Sequence, residues 1–263
     1  MKLKVYDLTG KAVDEVQMPF SEDVRDDLIR RAVLSEESRE FQPKGNYRWA
    51  GLQTSAKYIG RKEAYATLKN RGQSKLPREF YGGGSPGRVR RIPSSVKGRR
   101  AHPPNADKIL VEQINKKEWL KAAKSAFSAS MASESVKKRG HKINEKYPAI
   151  LTDDFESLNK TKEIVKVLNV FISEDMKKAK DNRQKITGIR RRTRSVRYPK
   201  SALIIASKGS AVLKAARNIA GIDTVTPKDL KVKNLAPGSL PGRPIIITKK
   251  ALVELETLWG AKK

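Results

Sequence analysis

Apolar residues along this chain recur with either a strand or a helix period, except in one long stretch that has neither. Lys2–Tyr6 alternates with a period of two and predicts a short strand, with Ala12–Gln17 as its hairpin partner. Ser21 stands as an N-cap, with Glu22 and Asp23 in the first turn of a helix to about Ser38. Val24, Leu28 and Ala32 share one face of that helix, with Ile29 and Val33 alongside. Ile109–Met131 predicts a second helix with Leu110, Ile114, Ala123 and Phe127 inward. A short strand at Ala149–Leu151 follows Pro148, then a helix over Ser157–Asn169 and a short one at Glu174–Lys180 capped by Ser173. Ala202–Ala206 reads as a buried strand and Gly209–Ala220 as a helix ended by Gly221. Thr224–Val225 and Ile245–Ile247 are two more strands, the second feeding a final helix at Lys249–Trp259. Strands alternating with helices imply a mostly parallel, helix-covered sheet in a single α/β domain spanning 1–263.

The stretch without a period covers residues 44–106. It holds nine Gly and five Pro, and its Leu52, Ile59, Leu68, Leu76, Val89, Ile92 and Val96 are scattered. Gly82, Gly83, Gly84, Pro86 and Gly87 argue against regular structure at its centre. Lys57–Asn70 is compatible with a helical turn or two. A long irregular loop of this kind, taken as 42–106, is functional or disordered.

Charge changes the picture. The chain of 263 residues has 57 Lys+Arg against 28 Asp+Glu, a formal net charge of +29. Residues 44–106 hold 15 Lys and Arg against two acids, Glu63 and Glu79. Residues 177–200 hold 11 against one, Asp181, and 181–200 reads as a second basic loop. The rest is nearly balanced, as on an ordinary solvated surface. So much charge of one sign repels itself in a free compact protein and calls for a polyanionic partner. The hydrophobic fraction, 38%, suffices for one real core.

Several function classes lose their chemistry at this point. The chain has no cysteine, so it has no disulfide, thiolate metal site or cysteine nucleophile. No apolar run is long enough to span a bilayer, the N-terminus has no signal-peptide core, and the protein reads as soluble and intracellular. Its two histidines, His102 and His141, lie apart in basic contexts, so neither a catalytic group nor a metal site is expected. Asp153, Asp154 and Glu156 are the one tight acid cluster; a nuclease could hold magnesium there, but acids starting the following helix explain them more simply. The glycine triplet lacks the Gly-Lys-Ser/Thr ending of a phosphate-binding loop.

RNA fits the basic windows best. Arg forks take phosphate oxygens in pairs, and Gly and Pro let backbone follow an irregular surface. Aromatic rings among cations suit stacking on unpaired bases. In the first window the candidate RNA-binding residues are Arg48, Trp49, Lys57, Tyr58, Arg61, Lys62, Lys69, Arg71, Lys75, Arg78, Arg88, Arg90, Arg91, Lys97, Arg99, Arg100 and His102. His141 joins them, as do Arg183, Lys185, Arg190, Arg191, Arg192, Arg194, Arg197 and Tyr198 of the second. The basic segments lack the apolar stripe a membrane-surface helix needs. Zinc fingers are excluded by composition, and no helix-turn-helix is evident.

Specific motifs then fall in a familiar order. Trp49-Ala50-Gly51-Leu52-Gln53-Thr54-Ser55-Ala56, Arg90-Arg91-Ile92-Pro93, and Lys97-Gly98-Arg99-Arg100-Ala101-His102-Pro103-Pro104 flank the loop centre. Gly140-His141-Lys142, Asp153-Asp154-Phe155-Glu156, Lys160-Thr161-Lys162-Glu163, Ala215–Ile222 and Asn234–Gly238 follow. Together they resemble the universal large-subunit ribosomal protein four family in its archaeal-type form, nearly end to end. The resemblance implies a structural, non-enzymatic protein that binds large-subunit rRNA early and aids subunit assembly. It implies neighbouring large-subunit proteins as partners and a cytoplasmic place in the ribosome. It also implies that the loop's tip lines the exit tunnel beside the nascent polypeptide. The corresponding tip residues are Glu79, Phe80, Tyr81, Gly82, Gly83, Gly84, Ser85, Pro86, Gly87 and Arg88. The tip and the Arg-rich Gly188–Arg197 depart from the family's usual pattern. No cofactor is expected beyond Mg2+ held by the RNA, and no membrane, small-molecule substrate or homo-oligomer. The rival readings are an RNA chaperone that releases its RNA and an acid-dependent nuclease.

Overall fold

A computed structural model describes residues 2–83, 86–187 and 196–260. The chain divides into two compact units, residues 1–40 with 111–263, and residues 41–110.

The first unit is built on a six-stranded sheet. Its strands are β1 (Lys2–Tyr6), β2 (Ala12–Gln17), β5 (Ala149–Leu151), β8 (Leu203–Ile205), β9 (Asp223–Val225) and β10 (Ile245–Thr248), in the order β2-β1-β5-β10-β8-β9. Only β2 runs antiparallel, as the hairpin partner of β1; every other pairing is parallel. β5, β8 and β10 are wholly buried. Parallel strands covered on both faces are apolar in nearly every position, and Ala-Ile-Leu, Leu-Ile-Ile and Ile-Ile-Ile-Thr fit, the buried Thr248 hydroxyl donating to Glu156 at 2.7 Å. The period of two sorts the side chains. Ile150, Leu203, Ile205, Ile245 and Ile247 enter one core, while Ala149, Leu151, Ile204 and Ile246 enter the other.

Helices α1 (Asp26–Ser38), α2 (Lys116–Met131), the short α6 (Val232–Leu235) and α7 (Lys249–Gly260) cover the first core, and a short α3 (Ser133–Lys138) follows α2. α4 (Thr161–Asp181) and α5 (Val212–Ala216) cover the second. Phe20, Phe127, Trp119 and Trp259 form an aromatic cluster with T-shaped contacts at 5.9–6.5 Å. Each fully buried ring or long aliphatic side chain contributes about 1.5–3 kcal/mol by leaving water.

Several boundaries differ from the sequence expectation, each for a tertiary reason. α1 starts at Asp26 and not after Ser21, because residues 21–25 bond to α2 instead. There the Glu22 and Arg25 N–H groups donate to Ser128 Oγ and Ser125 Oγ at 3.2 and 2.8 Å. Val24 is consequently exposed. α2 starts at Lys116 and not Ile109, because residue 112 pairs with α1: Ser35 Oγ donates to Glu112 O, and Glu112 N–H donates to Ser38 Oγ. Ile109 is left exposed. The two helices expected at 157–180 form one element, α4, interrupted at Ile172, one residue before Ser173. α5 is far shorter than Gly209–Ala220.

The acid cluster does not start α4. Asp153 Oδ1 accepts from Lys250 N–H at 2.9 Å in the first turn of α7. Glu156 accepts from Ser207 N–H at 2.9 Å and Thr248 Oγ1 at 2.7 Å, tying the ends of β8 and β10. Burial works against ionisation of Glu156, but these hydrogen bonds hold its pKa below the ordinary value.

Candidate nucleic-acid interface

The second unit, residues 41–110, contains little regular structure. A two-stranded hairpin joins β3 (Arg78–Phe80) to β4 (Pro86–Val89). The strand at Pro86 corrects the expectation that the glycine-rich centre excludes regular structure. Proline is tolerated as the first residue of an edge strand, where its missing N–H breaks no ladder. Lys57 and Arg78 exchange both backbone hydrogen bonds at 3.1 and 3.2 Å, adding a third short arm. Lys57–Asn70 forms turns, with Ala64 and Thr67 N–H groups bonding to Arg61 and Ala64 carbonyls, and no helix.

Glycine permits the close contact of outgoing and returning arms. A Cβ on Gly51 would lie 2.5 Å from the Gly98 carbonyl, and Gly51 has a φ of +75°. Asn46 N–H donates to Pro104 O at 3.3 Å, and Arg48 pairs with Asp107 at 2.9 Å. Ala56, Ala66 and Leu68 are the buried apolar side chains of this unit.

The cations sit on its outside. Arg48, Lys57, Arg61, Lys62, Lys69, Arg71, Lys75, Arg88, Arg91, Lys97, Arg99, Arg100 and His102 are exposed, and so are the rings of Trp49 and Tyr58. Three acids lie within 41–110, and each is already engaged. Glu63 lies 4.0 Å from Arg61, Glu79 takes Arg90 at 3.2 Å, and Asp107 takes Arg48. Arg78 and Arg90 turn partly inward. Arg78 donates to Ser74 Oγ at 3.0 Å, and Arg90 donates to Val96 O at 2.8 Å. Glu79 is a clamp at the hairpin base as well as a tip residue. Tyr81 donates to it at 2.5 Å, and this bond, with Arg90 behind it, holds its carboxyl below the usual carboxylate range. Phe80 is half-buried, while Tyr81, Gly82 and Gly83 are exposed. Gly84 and Ser85 lie outside the described residues.

In the second basic window, β6 (Gln184–Lys185) pairs with β7 (Val196–Arg197), and Arg183, Lys185, Arg197 and Tyr198 are exposed. Arg190, Arg191, Arg192 and Arg194 lie outside the described residues. His141 is different. Its ring is nearly buried, with Nδ1 3.1 Å from both oxygens of Asp175. Asp175 also accepts from Ser201 Oγ at 2.5 Å. Burial opposes its charge, but these donors keep its pKa below the ordinary carboxylate value.

Buried polar hubs escaped the sequence reading. Glu36 accepts from Trp119 Nε1 and from the Val232 and Lys233 N–H groups at 2.6–3.0 Å. Arg243, 1% exposed, donates to the Ser201, Asn234 and Ala202 carbonyls and pairs with Asp223 at 2.8 Å. Single polar residues inside apolar stretches carry no periodic signal that marks them as hubs.

Among the described residues, no group of three or more His, Cys, Asp or Glu could hold a metal ion, and no helix is long and apolar enough to cross a membrane. An α/β body carrying a cation-covered insertion is the build of a structural protein suited to a polyanion. The chain belongs to the ribosomal protein L4/L1 family, whose sequence profile matches residues 15–258. Its members are structural components of ribosomes and not enzymes. The chain is 42% identical over 262 residues to the large ribosomal subunit protein uL4 of Methanocaldococcus jannaschii, covering 97% of this chain and 98% of the relative. It is 40% identical to the uL4 of Methanococcus maripaludis with the same coverage, and 38% identical to that of Methanoculleus marisnigri over 259 residues.

Proposed function

We propose that this chain is a structural constituent of the large ribosomal subunit that binds rRNA early and supports assembly. The observation that carries this is the second unit itself. It has 16 Lys and Arg against three acids, and those acids are spent on internal pairs. Three small or aliphatic side chains cannot hold about seventy residues in order against an entropy cost of roughly 1–2 kcal/mol per residue. RNA phosphates supply the missing counter-charge, and Trp49 and Tyr58 offer faces for unpaired bases. On this reading the hairpin tip, residues 79–88, reaches the exit tunnel and meets the nascent polypeptide. Neighbouring large-subunit proteins border the body, and any Mg2+ belongs to the RNA.

The test is co-sedimentation in high salt. A ribosomal constituent stays with the large subunit at near one copy per particle. An RNA chaperone would wash off, and that outcome would overturn the reading.

A further inference from the structure

The body has its own gathering of cations around two cavities. A cavity of about 360 Å³ is lined by Arg139, His141, Asp175, Lys178, Arg197 and Lys200. A neighbouring cavity of about 660 Å³ is lined by Tyr198, Arg217, Asn218 and Thr224, and shares Arg197 and Lys200 with the first. Both volumes fall in the range of small-ligand sites, ~300–1,000 Å³.

The first cavity is suited to an anion. Arg139 is half-buried, and its guanidinium donates to the carbonyls of Leu240 and Pro237. Among the described residues it forms no ion pair, nor do Lys178 and Arg197. Burial, with Arg243 close by, brings the Arg139 pKa down to about 10. A half-buried guanidinium without a carboxylate is costly, and a bound anion removes that cost. Asp175, the one acid on the wall, is turned to His141 Nδ1 at 3.1 Å and accepts from Ser201 Oγ at 2.5 Å. Lys200 is held by Asp223 at 2.7 Å.

The second cavity is suited to a base. Tyr198 offers a partly exposed ring, and the Asn218 amide offers both a donor and an acceptor for a base edge. The wall between Pro199 and Gly221 is tight. A Cβ on Gly221, at φ +78°, would lie 2.7 Å from Pro199 O, so the backbone there is fixed by close contact.

We infer that the two cavities together seat one unpaired nucleotide of an RNA, with its phosphate between Arg139, Lys178 and Arg197 and its base beside Tyr198. This inference rests on the proposed RNA-binding function and adds to it a defined site on the body. Shared walls at Arg197 and Lys200 make the two chambers contiguous, so a phosphate in one and its own base in the other call for an unstacked nucleotide and not a helical duplex.

The test measures full-length protein binding to an RNA hairpin with an unpaired loop and to a fully paired duplex of the same composition. Tyr198 and Arg197 are exposed, so their variants retain the fold, and unchanged thermal unfolding checks that. Tyr198→Ala should weaken hairpin binding by roughly five- to a hundredfold with an unchanged salt slope, while Tyr198→Phe should bind like the wild type. Arg197→Gln should lower the slope of log affinity against log salt by about 0.7–0.9, the signature of one lost phosphate. Neither variant should alter duplex binding. Adenosine monophosphate should displace the hairpin better than inorganic phosphate at equal ionic strength. Equal displacement by the two, or hairpin binding by both variants indistinguishable from wild type, would overturn the site while leaving the proposed function standing. If the unaltered chain bound neither RNA, the proposed function would fall with it.

Discussion

The body and the insertion are held together by different means. In the body, the central strands β5, β8 and β10 are almost wholly apolar, two cores flank the sheet, and charged groups that enter the interior arrive with partners, as Arg243 does with Asp223 and three carbonyls. In the insertion, residues 41–110, the chain is held by short backbone bridges, glycine contacts and a Glu79–Arg90 clamp around three small buried apolar residues. The body stands on hydrophobic burial and the insertion does not, so the body is expected to fold on its own and the insertion to need its counter-charge. On the proposed function, the same 263 residues would then hold a self-sufficient domain and a segment whose order depends on the RNA it binds.

Hydrogen exchange breaks or confirms that division most directly. Amides of β5, β8 and β10 should exchange only through global opening, on the order of 5–15 kcal/mol uphill. Amides of residues 44–106 should exchange orders of magnitude faster in the free protein and be cleaved first by protease, then become protected when rRNA is added. Strong protection of the insertion without RNA would show that it has a stabilising core after all.

A matched pair of truncations gives the next largest effect. Phe127 is fully buried in the aromatic cluster, and Phe127→Ala should cost the body about 3–5 kcal/mol in urea unfolding. Leu68 is the largest buried aliphatic of the insertion, yet Leu68→Ala should leave the body transition where it was. A shift of that transition would mean the two units unfold as one.

How far the fold could be read in advance follows the same division. β5, β8 and β10 were legible nearly residue for residue because a strand covered on both faces has little freedom in its composition, and β1 because its apolar and polar residues alternate. Helix starts were not. The acceptors that fix residues 21–25 and 112 are the hydroxyls of Ser125, Ser128 and Ser38, distant in sequence, and a cap supplied from elsewhere leaves no local motif. The hairpin across Phe80 and Pro86 was hidden because glycine and proline ordinarily signal its absence. For the candidate interface, charge density located the insertion. It did not join Arg139, Lys178 and Arg217 into sites, because they lie apart in sequence and only the fold sets them on the two cavity walls.

Acid titration compares a carboxylate from each unit. Asp175 has a folded pKa below its ordinary value, so its stabilisation is full above the usual carboxylate range, ~3.9, and is lost as pH falls through the depressed folded value. Asp175→Asn, which keeps the shape but loses the charge facing His141, should cost the body roughly 1.5–3 kcal/mol at neutral pH. The cost should shrink toward acid. Glu79 is also held low by Tyr81 and Arg90, yet Glu79→Gln should leave the body's urea midpoint unmoved at every pH. A pH-independent cost at Asp175 would mean that its oxygens serve only as neutral acceptors.

The smallest effect is expected at the tip. Residues 81–87 carry no cation, whereas the arms keep Lys57, Arg61, Lys62, Arg99 and Arg100. The Lys57–Arg78 bridge and the Glu79–Arg90 clamp lie outside the deleted segment, so the base of the hairpin retains its own bonds. Deleting 81–87 removes no phosphate contact, so rRNA affinity should stay within about twofold and the salt slope within about 0.9 of wild type. The subunit should still incorporate the protein. What should change, where the tip faces the tunnel, is the bore: its width in the assembled subunit and its response to stalling peptides. Entry of the shortened protein with an unaltered bore would move the tip away from the tunnel. Failure to enter at all would make the tip an assembly anchor and end the separation of binding arms from a non-binding tip.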